Sequence, residues 1–183
     1  MLEARIQQQF FDAADLLNQS AESLSRPLDQ ASHALVGCLT AGGKVMAAGC
    51  DGAHALAQHA ATLLVRGAER ERPPLAALVL ADGRAGGAQL QALGHPGDVL
   101  LLFVGDKDTS TAGPLIDTAH DKEMTVVVLA DAEPARRLDL TETDVLLTLP
   151  PGGRMRRLEL QLLALHALCS AIDTQLLGEQ DFA

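Results

Sequence analysis

The 183-residue chain fits one domain of ordinary globular composition, 48 % hydrophobic and 21 % charged, and a domain of this length needs no disulfide or metal staple to bury a core. Only four Phe and no Tyr or Trp are present, which argues against base-stacking modules built on aromatic platforms. Fourteen Lys and Arg against 24 Asp and Glu leave a net charge of −10, a field that repels phosphate backbones, so no direct nucleic-acid binding is expected.

Residues 1–41 read as N-terminal helices. Ile6, Phe10, Leu17, Ala21 and Leu24 recur at helical spacing among Gln, Asp and Glu. Pro27 fits the first turn of a second helix carrying Leu28, Ala31, Leu35 and Leu39, which Gly42-Gly43 stops. The opening MLEARIQQQFFDAADLL carries charges throughout and lacks the apolar core of a signal peptide. No uninterrupted apolar stretch reaches a membrane span. Cys38, Cys50 and Cys169 form no CxxC and read as reduced, mostly buried thiols of a cytoplasmic protein.

From 44 to 177 short apolar runs alternate with helices. Lys44–Ala48 reads as a strand, Gly49 and Gly52 bracket a turn, and Ala53–Val65 reads as a helix. The mixed run Arg66, Glu69, Arg70, Glu71 and Arg72 reads as a solvated helix end. Leu75–Leu80 and Val99–Val104 are apolar runs, Thr111–Asp121 is helical, and Thr125–Leu129 and Asp144–Leu149 are strand-like. The pattern predicts a parallel sheet covered on both faces, a three-layer α/β/α sandwich in a single domain over 1–183. In the last helix, Arg154–Leu177, only Glu159, Gln161, His166 and Ser170 interrupt the apolar run from Leu158 to Ile172. One sheet covers only one stripe of such a helix. The expectation is a homotetramer built on the N- and C-terminal helices.

Ligands of parallel sheets sit beyond the carboxyl ends of the strands, where Gly-rich loops enter helices. Two loops qualify: Gly49-Cys50-Asp51-Gly52-Ala53, and Val104 through Asp106-Lys107-Asp108 to Thr109 and Ser110. The simplest readings are turn glycines at Gly49 and Gly52, a helix cap at Thr109 to Thr111, and a solvated tip at Asp106-Lys107-Asp108. His59 and His166 read first as core histidines.

The string GGKVMAAGCDGAHALAQHAATLLV resembles the first sugar-phosphate loop of the SIS (sugar isomerase) family in its phosphoheptose isomerase branch. GHPGDVLLLFV and MTVVVLA resemble the family's following strands, and MRRLELQLLALHALCSAID its C-terminal helix. The ending QLLGEQ is similar to that of the non-catalytic DiaA-type relatives, which associate with the replication initiator protein. The resemblance implies a SIS-domain fold, a ligand site at Gly49, Gly52, Thr109 and Ser110, and catalysis by a Glu on the first site helix with a His on the last. The Glu position falls on Leu63, the Gln of the last-helix motif on Leu158, and the phosphate-binding Ser on Ala53, whereas His59 and His166 are kept.

Some family members bind a metal through that His, Glu, Gln, His set. Two histidines fall short of the three protein ligands usual at zinc, so neither metal nor cofactor is expected. Asp51, Asp106 and Asp108 oppose a dianion, each by roughly 1 kcal/mol in water and about 4 at an effective dielectric of 20, and Lys107 offsets one. The segment 81–96 is shorter than the family's substrate loop and helix, so part of the pocket wall is expected to be missing. The expected function is that of a degenerate, non-catalytic SIS-domain protein with His59 and His166 as remnants. It would bind a protein partner, by resemblance the replication initiator, through Leu176 and Leu177. The alternatives are a sedoheptulose 7-phosphate isomerase, in which His166 works with an acid the sequence does not identify, and a module sensing a carbohydrate derivative.

Overall fold

The computed structural model describes residues 1–50, 52–105 and 109–179. Five strands form one parallel sheet in the order β2-β1-β3-β4-β5: β1 Val45–Cys50, β2 Ala77–Val79, β3 Val99–Val104, β4 Thr125–Asp131 and β5 Val145–Leu149. Each Val and Leu run is apolar on both sides because both sides are covered. Leu101 and Phe103 of β3 face a core shared with α1 Leu2–Thr40, α2 His54–Arg66 and α6 Arg154–Leu177. Leu100 and Leu102 face the opposite core with α3 Arg84–Leu93 and α4 Ala112–Asp121. This is the expected three-layer sandwich. The chain leaves β1 to one side for β2 and returns to the other for β3, so the β1/β3 boundary is the topological switch point, where ligands of such sheets sit.

Residues 1–41 hold one helix, not two. α1 continues through Pro27, although the ring removes the donor that Ser23's carbonyl would receive. Leu24, Ala31, Leu35 and Cys38 continue a single buried stripe across the proline. That packing outweighs the local break. Before Ser20 the helix meets the body only partly, through half-buried Leu16 and Leu17 and through Gln9, to which Arg156 donates, while Ile6, Phe10 and Phe11 are exposed.

The segment expected to lack a wall contains α3. Gly86-Gly87 conceals it in the sequence, yet Gly86 is what lets the helix sit close: a Cβ there would lie 2.1 Å from the Ala81 carbonyl oxygen. Gly86→Val is expected to cost about 1–3 kcal/mol through overpacking, read as a lower thermal midpoint. A further short helix, α5 Ala132–Ala135, follows β4.

Helix α6 is long and apolar enough by length and composition to cross a membrane. Here Leu160, Ala164, Leu165, Leu168 and Ile172 instead fill the core against α1 and the sheet. At the amino ends of the strands, away from the switch point, the buried Asp98 carboxylate accepts the Lys44 backbone N–H at 2.9 Å, the His95 N–H at 2.9 Å and Lys44 Nζ at 2.5 Å. Burial alone would raise its pKa, but these donors outweigh it and hold the carboxyl below the usual range.

Candidate functional site

At the carboxyl end of β1 the chain reverses tightly into α2. A Cβ on Gly49 would lie 2.3 Å from the Ala53 carbonyl oxygen, and Gly52 adopts φ +89°. Only glycine fits the first, and the second is in the left-handed region glycine favours. Gly105 N–H, just after β3, donates to the Cys50 carbonyl at 3.0 Å and ties the two candidate loops together. Thr109 is half-buried and Ser110 exposed. Thr111 takes the N-cap position of α4 without a side-chain cap bond, and the Thr109 carbonyl accepts the Gly113 N–H at 3.0 Å. Asp51, Asp106, Lys107 and Asp108, on which the like-charge expectation rests, lie outside the described residues.

α2 carries His59 towards α6, which carries His166. Their Nε2 atoms are 3.1 Å apart, and the rings meet edge to face with centroids at 5.4 Å. One imidazole donates its N–H and the other accepts, the tautomers deciding which ring does which. Neither is a core histidine: His59 is half-buried and His166 exposed. The pair borders a cleft of about 910 Å³ lined also by Leu63, Glu69, Leu163 and Ser170. Glu69 has no hydrogen-bond or ion-pair partner among the described residues. Asp173 lines the cleft too, but Arg72 Nε holds it at 2.5 Å. The cleft brings His59 and His166 together and does not include Gly49, Gly52, Thr109 or Ser110 in its lining. Leu176 packs against the core, and Leu177, 41 % exposed, ends α6.

The charged run after α2 is not uniformly solvated. Arg72 and Asp173 form a buried ion pair, with side chains 1 % and 3 % exposed. Arg72 also donates to the carbonyls of Leu64 at 2.8 Å and Leu63 at 3.2 Å, placing a cation at the negative end of α2. Arg70 donates to the Gly178 carbonyl at 2.9 Å. The two arginines fasten the cleft wall to the end of α6.

The other half of α6 is fastened over the strand ends. Arg157 contacts the Asp131 carboxylate at 2.6 Å and donates to the Gly105 carbonyl, while Gln161 Nε2 donates to Val104 O at 2.9 Å and Leu129 O at 3.1 Å. Gln161 was visible in the sequence as a polar break in an apolar run, but its partners were not. Arg154 lies over the β1–α2 turn: a Cβ on Gly52 would come within 2.7 Å of its Nη2, and it has no hydrogen-bond or ion-pair partner among the described residues. It brings a cation to the β1–α2 turn at the switch point.

The three cysteines are buried. Burial, assisted by the nearby Asp98 and Asp173 respectively, pushes the Cys38 thiol up to about 11 and the Cys169 thiol up to about 12. Both stay protonated and unreactive at neutral pH. The four positions at which family resemblance implies a metal hold His59, Leu63, Leu158 and His166. Two of these four offer only hydrocarbon, and no group of three His, Cys, Asp or Glu among the described residues could hold a metal ion. The donor set does not fit one.

The SIS domain family profile matches residues 9–131. A phosphoheptose isomerase of Methylibium petroleiphilum is 45 % identical over 99 % of this chain and 98 % of its own. One from Aromatoleum aromaticum is 36 % identical over 97 % of each. Among solved structures, a phosphoheptose isomerase from Francisella tularensis superposes with a TM-score of 0.86 at 28 % identity, covering 95 % of this chain and 99 % of that one. These relatives overturn the expectation of a non-enzyme. The losses at Leu63, Leu158 and Ala53 suggested dead chemistry, yet full-length similarity at 45 % identity is to a protein named as an isomerase. With SIS motifs in order along the sequence, a parallel sheet to match and relatives of this kind over its whole length, the chain belongs to the SIS domain family and is a phosphoheptose isomerase-like protein.

Proposed function

We propose that the protein is a cytoplasmic aldose–ketose isomerase acting on a sugar phosphate of the sedoheptulose 7-phosphate class. The observation that carries this reading is the 3.1 Å His59–His166 pair on a cleft that also holds Glu69. The reaction removes a proton from the carbon beside a carbonyl and returns one to the neighbouring carbon through an enediol, while a proton passes between the two oxygens. It needs a base at carbon and an acid–base group at oxygen. Glu69 fills the first role in place of the carboxylate absent at Leu63, and the imidazole pair fills the second.

The phosphate end falls at the switch point. His59 lies six residues along α2 from Ala53, a rise of about 9 Å, comparable with the length of an extended seven-carbon sugar phosphate. Arg154 supplies there a donor in place of the hydroxyl that Ala53 lacks. Arg154→Ala is expected to raise KM about 10–100-fold, the scale of a lost charge-assisted hydrogen bond, with kcat little changed. Steady-state kinetics checks it.

The same reading includes a homotetramer, because Ile6, Phe10 and Phe11 on α1 and Met155, Leu163 and Leu177 on α6 are exposed apolar side chains on two helices. Light scattering at micromolar concentration should give four chains per particle, and a monomer would refute the assembly. For the activity, purified protein is incubated with sedoheptulose 7-phosphate and the products are followed by NMR. Appearance of the aldose phosphate supports the proposal, and an unchanged spectrum overturns it.

A further inference from the structure

The His59–His166 geometry carries a second conclusion. In a tetrahedral zinc site with Zn–N bonds of about 2.0–2.1 Å, two imidazole nitrogens stand roughly 3.3 Å apart. At 3.1 Å, His59 Nε2 and His166 Nε2 keep close to that spacing. The other two corners have changed character. Leu63 presents hydrocarbon to the cleft, and Leu158 packs against the core. With two imidazole nitrogens and no third donor, the nitrogens satisfy each other directly, one N–H to one lone pair.

We infer that this protein has exchanged a metal-type site for a metal-independent imidazole pair, in which His59 is the positioning residue that orients His166 and holds its shared proton. Leu63 and Leu158 are the residues that deny the site a metal. The charged groups facing the pair from neighbouring elements are consistent with this assignment. Glu69 and Glu179 line the cleft, Arg70 is engaged by the Gly178 carbonyl, and Asp173 is committed to Arg72. None of these replaces the lost ligands at the pair, since no three-member donor group is present among the described residues. The catalytic half of the inference rests on the isomerase reading. The metal half does not.

The deciding experiment therefore measures metal content apart from turnover. Full-length protein is incubated with excess zinc, desalted and analysed by mass spectrometry for bound metal, with thermal midpoints recorded with and without zinc. Wild type is expected to retain no stoichiometric zinc and to show an unchanged midpoint. Leu63→Glu, at a half-buried position that tolerates a polar side chain, supplies a third donor and is expected to retain one zinc per chain with a raised midpoint. The further change Leu158→Gln should tighten it. Stoichiometric zinc in wild type that is lost in His166→Ala would overturn the inference. So would a folded Leu63→Glu variant that takes no zinc, because Leu63 would then not be what excludes it.

The positioning role is read separately. His59→Phe should lower kcat by about tenfold or more, the scale of one lost orienting hydrogen bond. His59→Gln, whose carboxamide can restore the bond to His166, should recover most of that loss, and equal activity in both variants would refute the role. Absence of turnover in wild type would count against the isomerase reading and leave the zinc result standing.

Discussion

His166→Ala is expected to lower turnover of a heptose phosphate about 10²–10⁴-fold, the usual contribution of a general acid–base group. The fold should not notice. His166 is exposed, and its contacts are with the cleft and His59, so the stability change should stay within about 0.5 kcal/mol, as for surface substitutions in general. A fall in kcat with an unchanged thermal midpoint separates the catalytic role from a structural one. Unchanged kcat would move the chemistry away from this pair. Glu69→Gln provides the companion measurement, since the amide keeps the shape of the side chain and cannot accept a proton from carbon.

The largest expected stability effect lies at Asp173. Its carboxylate is buried and its principal partner is Arg72, itself held by the carbonyls at the end of α2. Asp173→Ala leaves the guanidinium buried without its counter-charge, and breaking such a pair typically costs about 3–5 kcal/mol. In a chain of this size each kcal/mol lowers the midpoint by about 2–4 °C, so calorimetry should show a fall of about 6–20 °C. The double change Arg72→Met with Asp173→Leu should recover much of it, because replacing both charges removes the desolvation cost as well as the attraction. A single variant as stable as wild type would show that the pair contributes nothing to holding α2 and α6 together.

The parts of the fold that were legible are those where the local pattern and the packing agree. β3 and β4 are continuous Val and Leu runs because helices cover both of their faces, and both read directly as buried parallel strands. The parts that misled are those where tertiary contacts override a local rule. Pro27 marks a helix start by its chemistry, but the stripe from Leu24 to Cys38 continues through it. No element is read between 81 and 96, although the missing Cβ at Gly86 is what lets α3 approach Ala81.

The site divides in the same way. His59 and His166 were identifiable through family resemblance, but their pairing spans 107 residues of sequence, and no spacing rule links them. Glu69 and Arg72 were concealed together in a charged run that reads as solvent-facing. Burial separates them: Arg72 turns inward to Asp173, while Glu69 borders the cleft. Counting only the aligned positions therefore gave a site without an acid. In the proposed site the carboxylate is Glu69, in the loop after α2 and six residues beyond Leu63, where no helix-face argument reaches.

With copies associated through α1 as proposed, the exposed start of that helix would give this protein a dependence on its own abundance. Residues 2–8 are exposed, and residues 9–19 meet their own chain chiefly through Gln9, Leu16 and Leu17, while isolated helices of that length are marginal in water. In the proposed tetramer, neighbouring copies that cover Ile6, Phe10 and Phe11 would sustain their helicity. On dilution this segment is then expected to unwind before the sheet does and to expose Arg5 to a trypsin-like protease, which limited proteolysis across a concentration series checks.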